Sequence, residues 1–316
     1  MVLFDVSGML TVVYLTILGI SLSFDNAVIN ASVLNNWNHQ WRLLFLWVGL
    51  PIAVFGMRFF FPLAIASFGA SISFSEALDM VLNNPNDFAK TLEASHVQVA
   101  GFGGAFLSMV FWTFFLDESK DNHWIPGIEK WLSSLAGDTS EKSVGVAYTF
   151  LIVLYASLML ADDSWKTLLV SGSLGIVAFL LTRLLAEQMG GDGKKVGQGV
   201  AGLLYLEVQD ASFSFDDTIG SFAISNNIIL IAIGLGIGAL WVRSMTIHLV
   251  EEGTLAEYKY LENGAFWAIG VLSLCMLLGI LIPIPEWFTG TAGAGIIFLS
   301  WFHSVKANKQ ALSAPR

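Results

Sequence analysis

The chain has 316 residues, of which 13% are charged and 55% hydrophobic, and its mean hydropathy is +0.69. A water-soluble domain carries about 25% charged residues, so this composition excludes disorder and an ordinary soluble enzyme and indicates an integral membrane protein. The formal net charge of −10 argues against a nucleic-acid partner, and the single cysteine, Cys275, excludes a disulfide framework or a thiolate metal cage.

A helix needs about 20 mainly apolar residues to cross the hydrocarbon core. The first such stretch, 10–33, has Asp5 ahead of it instead of a basic leader and no small-residue cleavage pattern after it, so it is expected to remain in the mature chain. The second, 43–67, follows the turn Asn35-Asn36-Trp37-Asn38. Residues 68–96 are too polar to span, and Phe74, Leu78, Val81 and Leu82 at helical spacing predict a short interfacial helix. Span three is 97–116. The stretch 117–143, with Trp124, Ile125, Ile128, Trp131 and Leu132, reads as a second surface-lying connector. Spans four to nine follow at 144–161, 166–188, 198–226, 227–250, 264–283 and 286–303, parted by turns such as Gly190-Gly191-Asp192-Gly193 and Pro283-Ile284-Pro285. The expected fold is all-α, a polytopic membrane protein with nine transmembrane helices.

Lys and Arg are retained on the cytoplasmic side of membrane proteins. With the N-terminus outside, the inward loops and tail hold Arg42, Lys120, Lys130, Lys142, Lys194, Lys195, Lys259, Lys306, Lys309 and Arg316, whereas the outward loops hold only Lys90 and Lys166. The expected topology is N-out, C-in.

Two polar stretches repeat. Ser21, Ser23, Phe24 and Asp25 match Ser212, Ser214, Phe215 and Asp216 at an offset of 191, with Asn26 facing Asp217 in the alignment. Arg58 in span two matches Arg243 in span seven at an offset of 185. Leu92-Glu93 with Gly101 matches Leu261-Glu262 with Gly270 at an offset of 169. Span one runs inward and span six outward, so the repeat is inverted, an arrangement typical of secondary transporters with a site at mid-membrane. The chain then divides into a first repeat (1–116), a connector with spans four and five (117–197), a second repeat (198–283) and span nine with the tail (284–316).

Charges at mid-membrane cost several kcal/mol and are normally turned inward. At about 100° per residue, Glu207, Asp210, Ser214, Asp217 and Ser221 share one face of span six. Thr16, Gly19, Ser23, Asn26 and Asn30 share the equivalent face of span one. Asp25 and Asp216 join these faces if each helix opens at its Ser-Phe-Asp turn. Oxygen ligands of this kind suit Mn²⁺, Ca²⁺ or Mg²⁺, and carboxylates so close also suit a proton relay. Arg58 and Arg243 either pair with these acids or snorkel to the surface. Arg183 reads as a snorkelling anchor, and His96, beside Glu93, as an interfacial hydrogen-bonding group ahead of a proton carrier or an outer ligand. The Gly101–Gly104, Gly234–Gly238 and Gly290–Gly295 runs are packing devices.

At Ser23-Phe24-Asp25-Asn26 and Asp210-Ala-Ser-Phe-Ser-Phe-Asp216-Asp217 the sequence resembles the TerC-like integral membrane proteins, in particular a bacterial branch of unknown function. The likeness covers spans one to three and six to eight. The wider family is associated with tellurium-ion resistance and manganese export. The resemblance implies metal-binding positions at Asp25 and Asn26 in one repeat and at Asp216 and Asp217 in the other. Asn26 stands where the second repeat has an acid, and Phe24 and Phe215 replace a small or aliphatic residue.

The expected function is a divalent-cation transporter of the bacterial inner membrane, an Mn²⁺ exporter working by alternating access, with no enzymatic activity and no tightly bound cofactor. Its metal ligands would be Asp25, Asn26, Asn30, Asp210, Asp216 and Asp217. Glu207, Ser214, Ser221, Arg58, Arg243 and His96 would serve the pathway or proton coupling. The expected partners are the ion and the lipid bilayer, with a homo-oligomer allowed. An accessory scaffold in metal or oxyanion stress is the second reading.

Overall fold

The computed structural model describes residues 6–120, 122–137, 139–188, 196–225 and 227–313; within these, the side chains of Leu22, Phe24, Asp25, Glu187, Gln188, Phe215, Asp216, Asp217, Ile219, Ala223, Glu286, Trp287, Ala311, Leu312 and Ser313 are outside the description. The described residues form helices without strands, α1 (Val6–Leu22), α2 (Phe24–Leu34), α3 (His39–Trp47), the short α4 (Gly49–Pro51), a π-helix (Ile52–Phe60) and α5 (Phe61–Gly69) in the first part. The polar segment 68–96 holds α6 (Phe74–Asn83) and α7 (Pro85–Ala94), followed by α8 (His96–Phe115) and the connector helix α9 (Pro126–Ser134). The remainder is α10 (Glu141–Leu158), α11 (Ser164–Gln188), α12 (Val200–Ile224), α13 (Ile228–Glu251), α14 (Thr254–Glu257), α15 (Leu261–Gly279) and α16 (Glu286–Ser313).

Among the described residues six helices are long and apolar enough to cross a membrane: His39–Gly69, His96–Phe115, Glu141–Leu158, Ser164–Ala186, Ile228–Glu251 and Leu261–Gly279; the bent pair Val6–Ser21 and Asn26–Leu34 makes a seventh if it is one span. The nine-span expectation adds 198–226 and 286–303. α12 and α16 cover most of those stretches, and α12 carries four acids, Glu207, Asp210, Asp216 and Asp217, which set it apart from the apolar spans. Large apolar side chains stay exposed in helical stripes: Leu10, Val13, Tyr14 and Ile17 on α1, Val170, Leu174, Val177 and Leu181 on α11, Ile229, Ile233 and Ile237 on α13. Such stripes are stable against lipid and not against water. The protein is a polytopic helical membrane protein.

Local chemistry explains the irregularities. Ser23 leaves the helical region at φ −110°, ψ 13°, and the first span bends there by 53°. Its counterpart α12 runs without interruption through Ser214, so the opening that would bring each aspartate onto its polar face occurs in the first repeat and not in the second. Between Pro51 and Pro62 the chain winds as a π-helix, and Pro51 cannot donate to the preceding turn. Arg58 Nη1 donates to the Ala53 carbonyl at 3.1 Å within this segment.

The 68–96 segment is a pair of helices instead of the single one expected. A capping box of Ser73 and Glu76 starts α6 and Pro85 starts α7. Phe88 packs against Phe222 of α12 with ring centroids 5.7 Å apart. Val81 is buried, whereas Phe74 and Leu82 point outward.

Helices at corresponding places in the sequence repeat run antiparallel. Asn26 meets Asp210 and Trp37 meets Gly202. Gly49 abuts Arg243, and Gly236 abuts Val54. Gly104 abuts Leu277, and Gly270 abuts Phe111. The small residues permit this close approach: Gly238 touches the Gly19 backbone, and Gly103 touches Met276 and Ser212. Gly295, also expected to pack, faces open space.

Candidate functional site

Glu207 and Asp210, one turn apart on α12, both point at Arg243 of α13. Arg243 Nη2 lies 3.0 Å from Glu207 Oε1 and Oε2 and 3.0 Å from Asp210 Oδ2. Arg243 Nη1 donates to the Phe45 carbonyl at 3.1 Å, and the guanidinium carbon sits 4.5 Å from the Phe45 ring centroid. The Asn26 amide donates to Asp210 Oδ1. Each Asp210 oxygen therefore has its own donor, one from each repeat. All four side chains are buried, where an ion pair persists only if its charges are matched and hydrogen-bonded. Gly49 makes the arrangement possible, since a Cβ there would stand 2.1 Å from Arg243 Nη1 and 2.8 Å from Glu207 Oε1.

The cluster contains a reciprocal exchange. Thr16 Oγ1 donates to the Gly234 carbonyl at 3.1 Å, and Glu207 Oε1 faces Gly49. Thr16 and Glu207 are the same position at the offset of 191, and Gly49 and Gly234 are the same position at the offset of 185. At the offset of 169, Ser273 is the equivalent of Gly104, and Ser273 Oγ donates to the Gly104 carbonyl at 2.8 Å.

Of the residues expected from sequence, the structure gathers Glu207, Asp210, Asn26 and Arg243. Asn30 is one turn further along α2, at the level of the turn holding Glu207. Ser214 and Ser221 are buried on α12; the Ser221 hydroxyl donates to the Thr218 carbonyl at 2.6 Å, inside its own helix. Arg58 is buried in the neighbouring π-helix. Both candidate arginines thus stay inside, and snorkelling is excluded because neither head reaches the surface. Arg183 is buried as well, in the wall of a cavity, and is not a terminal anchor. His96 begins α8, half-buried beside the exposed Glu93, and takes no part in the hydrogen bonds around Arg243. The side chains of Asp25, Asp216 and Asp217 lie outside the described residues. Among the described residues no three His, Cys, Asp or Glu side chains are grouped to hold a metal.

Sequence reasoning missed three features. Gly49 carried a signal in its match to Gly234. Glu129, read as part of a surface connector, is 1% exposed: it accepts from the Trp124 and Ile125 backbone N–H groups (both 3.2 Å), Asn263 Nδ2 (2.7 Å) and Trp267 Nε1 (3.1 Å). Trp124 Nε1 also donates to His303 Nδ1 at 2.8 Å, so the connector is docked onto α15 and α16. The third is a cavity of about 470 Å³ whose walls include Ser32, Val33, Asp117, Lys120, Arg183, Tyr205 and Glu262. Lys120 Nζ lies 3.7 Å from Glu129, over the rings of Phe114 and Phe115 at 3.9 and 4.2 Å. Burial pulls its ammonium down to about 8 against the opposing pull of Glu129, Glu262 and Asp117.

No curated protein and no solved structure matches the chain. Residues 24–311 match a family described as "Protein of unknown function (DUF475)", and the chain belongs to that family.

Proposed function

We propose that the protein is a divalent-cation transporter of a bacterial inner membrane, with Mn²⁺ export as its activity and alternating access as its mechanism. The observation that carries this reading is the buried set of Glu207, Asp210, Arg243 and Asn26, which joins α2 of one repeat to α12 and α13 of the other. Charges in such a place are a functional feature by default. The antiparallel equivalents and the exchanged Thr16–Gly234 and Glu207–Gly49 contacts support an inverted repeat, the architecture on which rocking transporters are built. The resemblance to TerC-like proteins supports manganese, with Asp25, Asp216 and Asp217 as further ligands.

Arg243 acts in this reading as a resident counter-ion. It neutralises Glu207 and Asp210 while the ion is away. A divalent cation entering with Asn26, Asn30 and Asp210 as oxygen ligands releases the guanidinium, which keeps its second anchorage on the Phe45 carbonyl and ring.

Purified protein tests this by metal-dependent unfolding. Mn²⁺ at 100 times its dissociation constant is expected to stabilise the wild type by about 2.7 kcal/mol, and to leave Asp210→Asn and Asp216→Asn unshifted. Identical unfolding temperatures with and without Mn²⁺, Ca²⁺ or Mg²⁺ would favour the scaffold reading instead.

A further inference from the structure

The cavity of about 470 Å³ opens beside the ends of α2 and α12. On α2, Asn26, Asn30 and Val33 share one face at spacings of four and three; on α12, Tyr205, Gln209 and Ser212 do the same. Val33 and Tyr205 line the cavity, so these faces converge on it. The antiparallel register places Trp37 at Gly202 and Asn26 at Asp210. Along their helices Asn30 and Gln209 therefore lie between the cavity-lining Val33 and Tyr205 and the Asn26–Asp210 contact.

Gln209 is 0% exposed and Asn30 1%. Gln209 has no hydrogen-bond partner at either Oε1 or Nε2, and Asn30 has none at Oδ1. A buried amide without a partner is destabilising, and each such group in a packed interior calls for an explanation. Neutral amide oxygens are what replaces water around a hard divalent cation. The cavity has room for an ion with its hydration shell, and its walls carry the carboxylates Asp117 and Glu262 with Asn36, Asn122 and Asn263. Lys120 and Arg183 stand in the same wall, and Lys120 lies 3.7 Å from Glu129.

We propose that this cavity is the vestibule for a hydrated divalent cation, and that the Asn30 and Gln209 oxygens form a transfer site exchanging its water on the way to or from Asp210. The proposal rests on the transport reading. It places the vestibule on the face of the 117–143 connector, which the Lys and Arg distribution assigns to the cytoplasm.

The test uses full-length protein in inverted vesicles. Gln209→Leu removes an unpaired amide, so its unfolding temperature is expected to equal or exceed the wild type's, while its Mn²⁺ flux falls about tenfold. In a Cys275→Ala background, Val33→Cys is expected to react with a membrane-impermeant thiol reagent, and Mn²⁺ to slow that reaction. Wild-type flux in Gln209→Leu, a less stable Gln209→Leu, or Val33→Cys labelling indifferent to Mn²⁺ overturns the vestibule while leaving transport intact. Absence of flux in the wild type overturns the transport reading and the vestibule with it.

Discussion

Arg243→Met is expected to destabilise the protein by about 3–5 kcal/mol, because it leaves the Glu207 and Asp210 carboxylates buried without their counter-charge. Three hydrogen bonds to those oxygens and the tie to the Phe45 carbonyl disappear together. The triple variant Arg243→Met, Glu207→Gln, Asp210→Asn should recover most of that loss, since removing every charge of a buried set costs far less than removing one. Lysine at 243 keeps the charge but not the planar fork, and should fall between the two. Thermal unfolding in one detergent decides it. An Arg243→Met protein as stable as the wild type at neutral pH would show that the ion cluster contributes nothing to the fold.

Glu129→Ala carries the second large effect, at the opposite kind of place. Glu129 is the acceptor for two backbone N–H groups, the Asn263 amide and the Trp267 indole, and it is the charge facing Lys120. Alanine removes the acceptor that these four donors share, of which the Asn263 amide keeps the Asn122 carbonyl at 3.2 Å, and takes away the carboxylate 3.7 Å from Lys120, at a cost of about 3 kcal/mol. The connector should undock from α15 as a consequence. Limited proteolysis is expected to cut between residues 117 and 143 in Glu129→Ala under conditions that leave the wild type whole. Equal resistance in the two proteins would mean that α9 is held by its apolar contacts alone.

These two clusters differ in how well the sequence announced them. Glu207, Asp210 and Arg243 are rare charges inside apolar stretches, so hydropathy, helical spacing and the repeat offset all marked them in advance. Asn26 was marked by its place opposite Asp217 in the repeat. Glu129 had no such mark: within a polar connector a buried glutamate looks like a solvated one, and only the docking of α9 onto Asn263 and Trp267 reveals its role. Gln209 was equally silent, because a single amide beside an aspartate says nothing about which neighbours will fail to pair with it.

The fold was legible to a similar degree. Apolar runs of helix length placed the helices, and the polar gaps placed the two connectors. The π-helix between Pro51 and Pro62 was not foreseen, since proline predicts a disturbance of the backbone ladder without saying how the chain relieves it. The break at Ser23 without a matching break at Ser214 was also beyond the pattern, because the two Ser-Phe-Asp turns are alike in sequence.

Transport of Mn²⁺ into inverted vesicles reaches the central claim most directly. The account predicts saturable accumulation by the wild type and a loss of about tenfold or more in Asp25→Asn, Asp210→Asn and Asp216→Asn, the size expected when one charged ligand becomes neutral. Undiminished accumulation in all three variants, or none in the wild type, would contradict it.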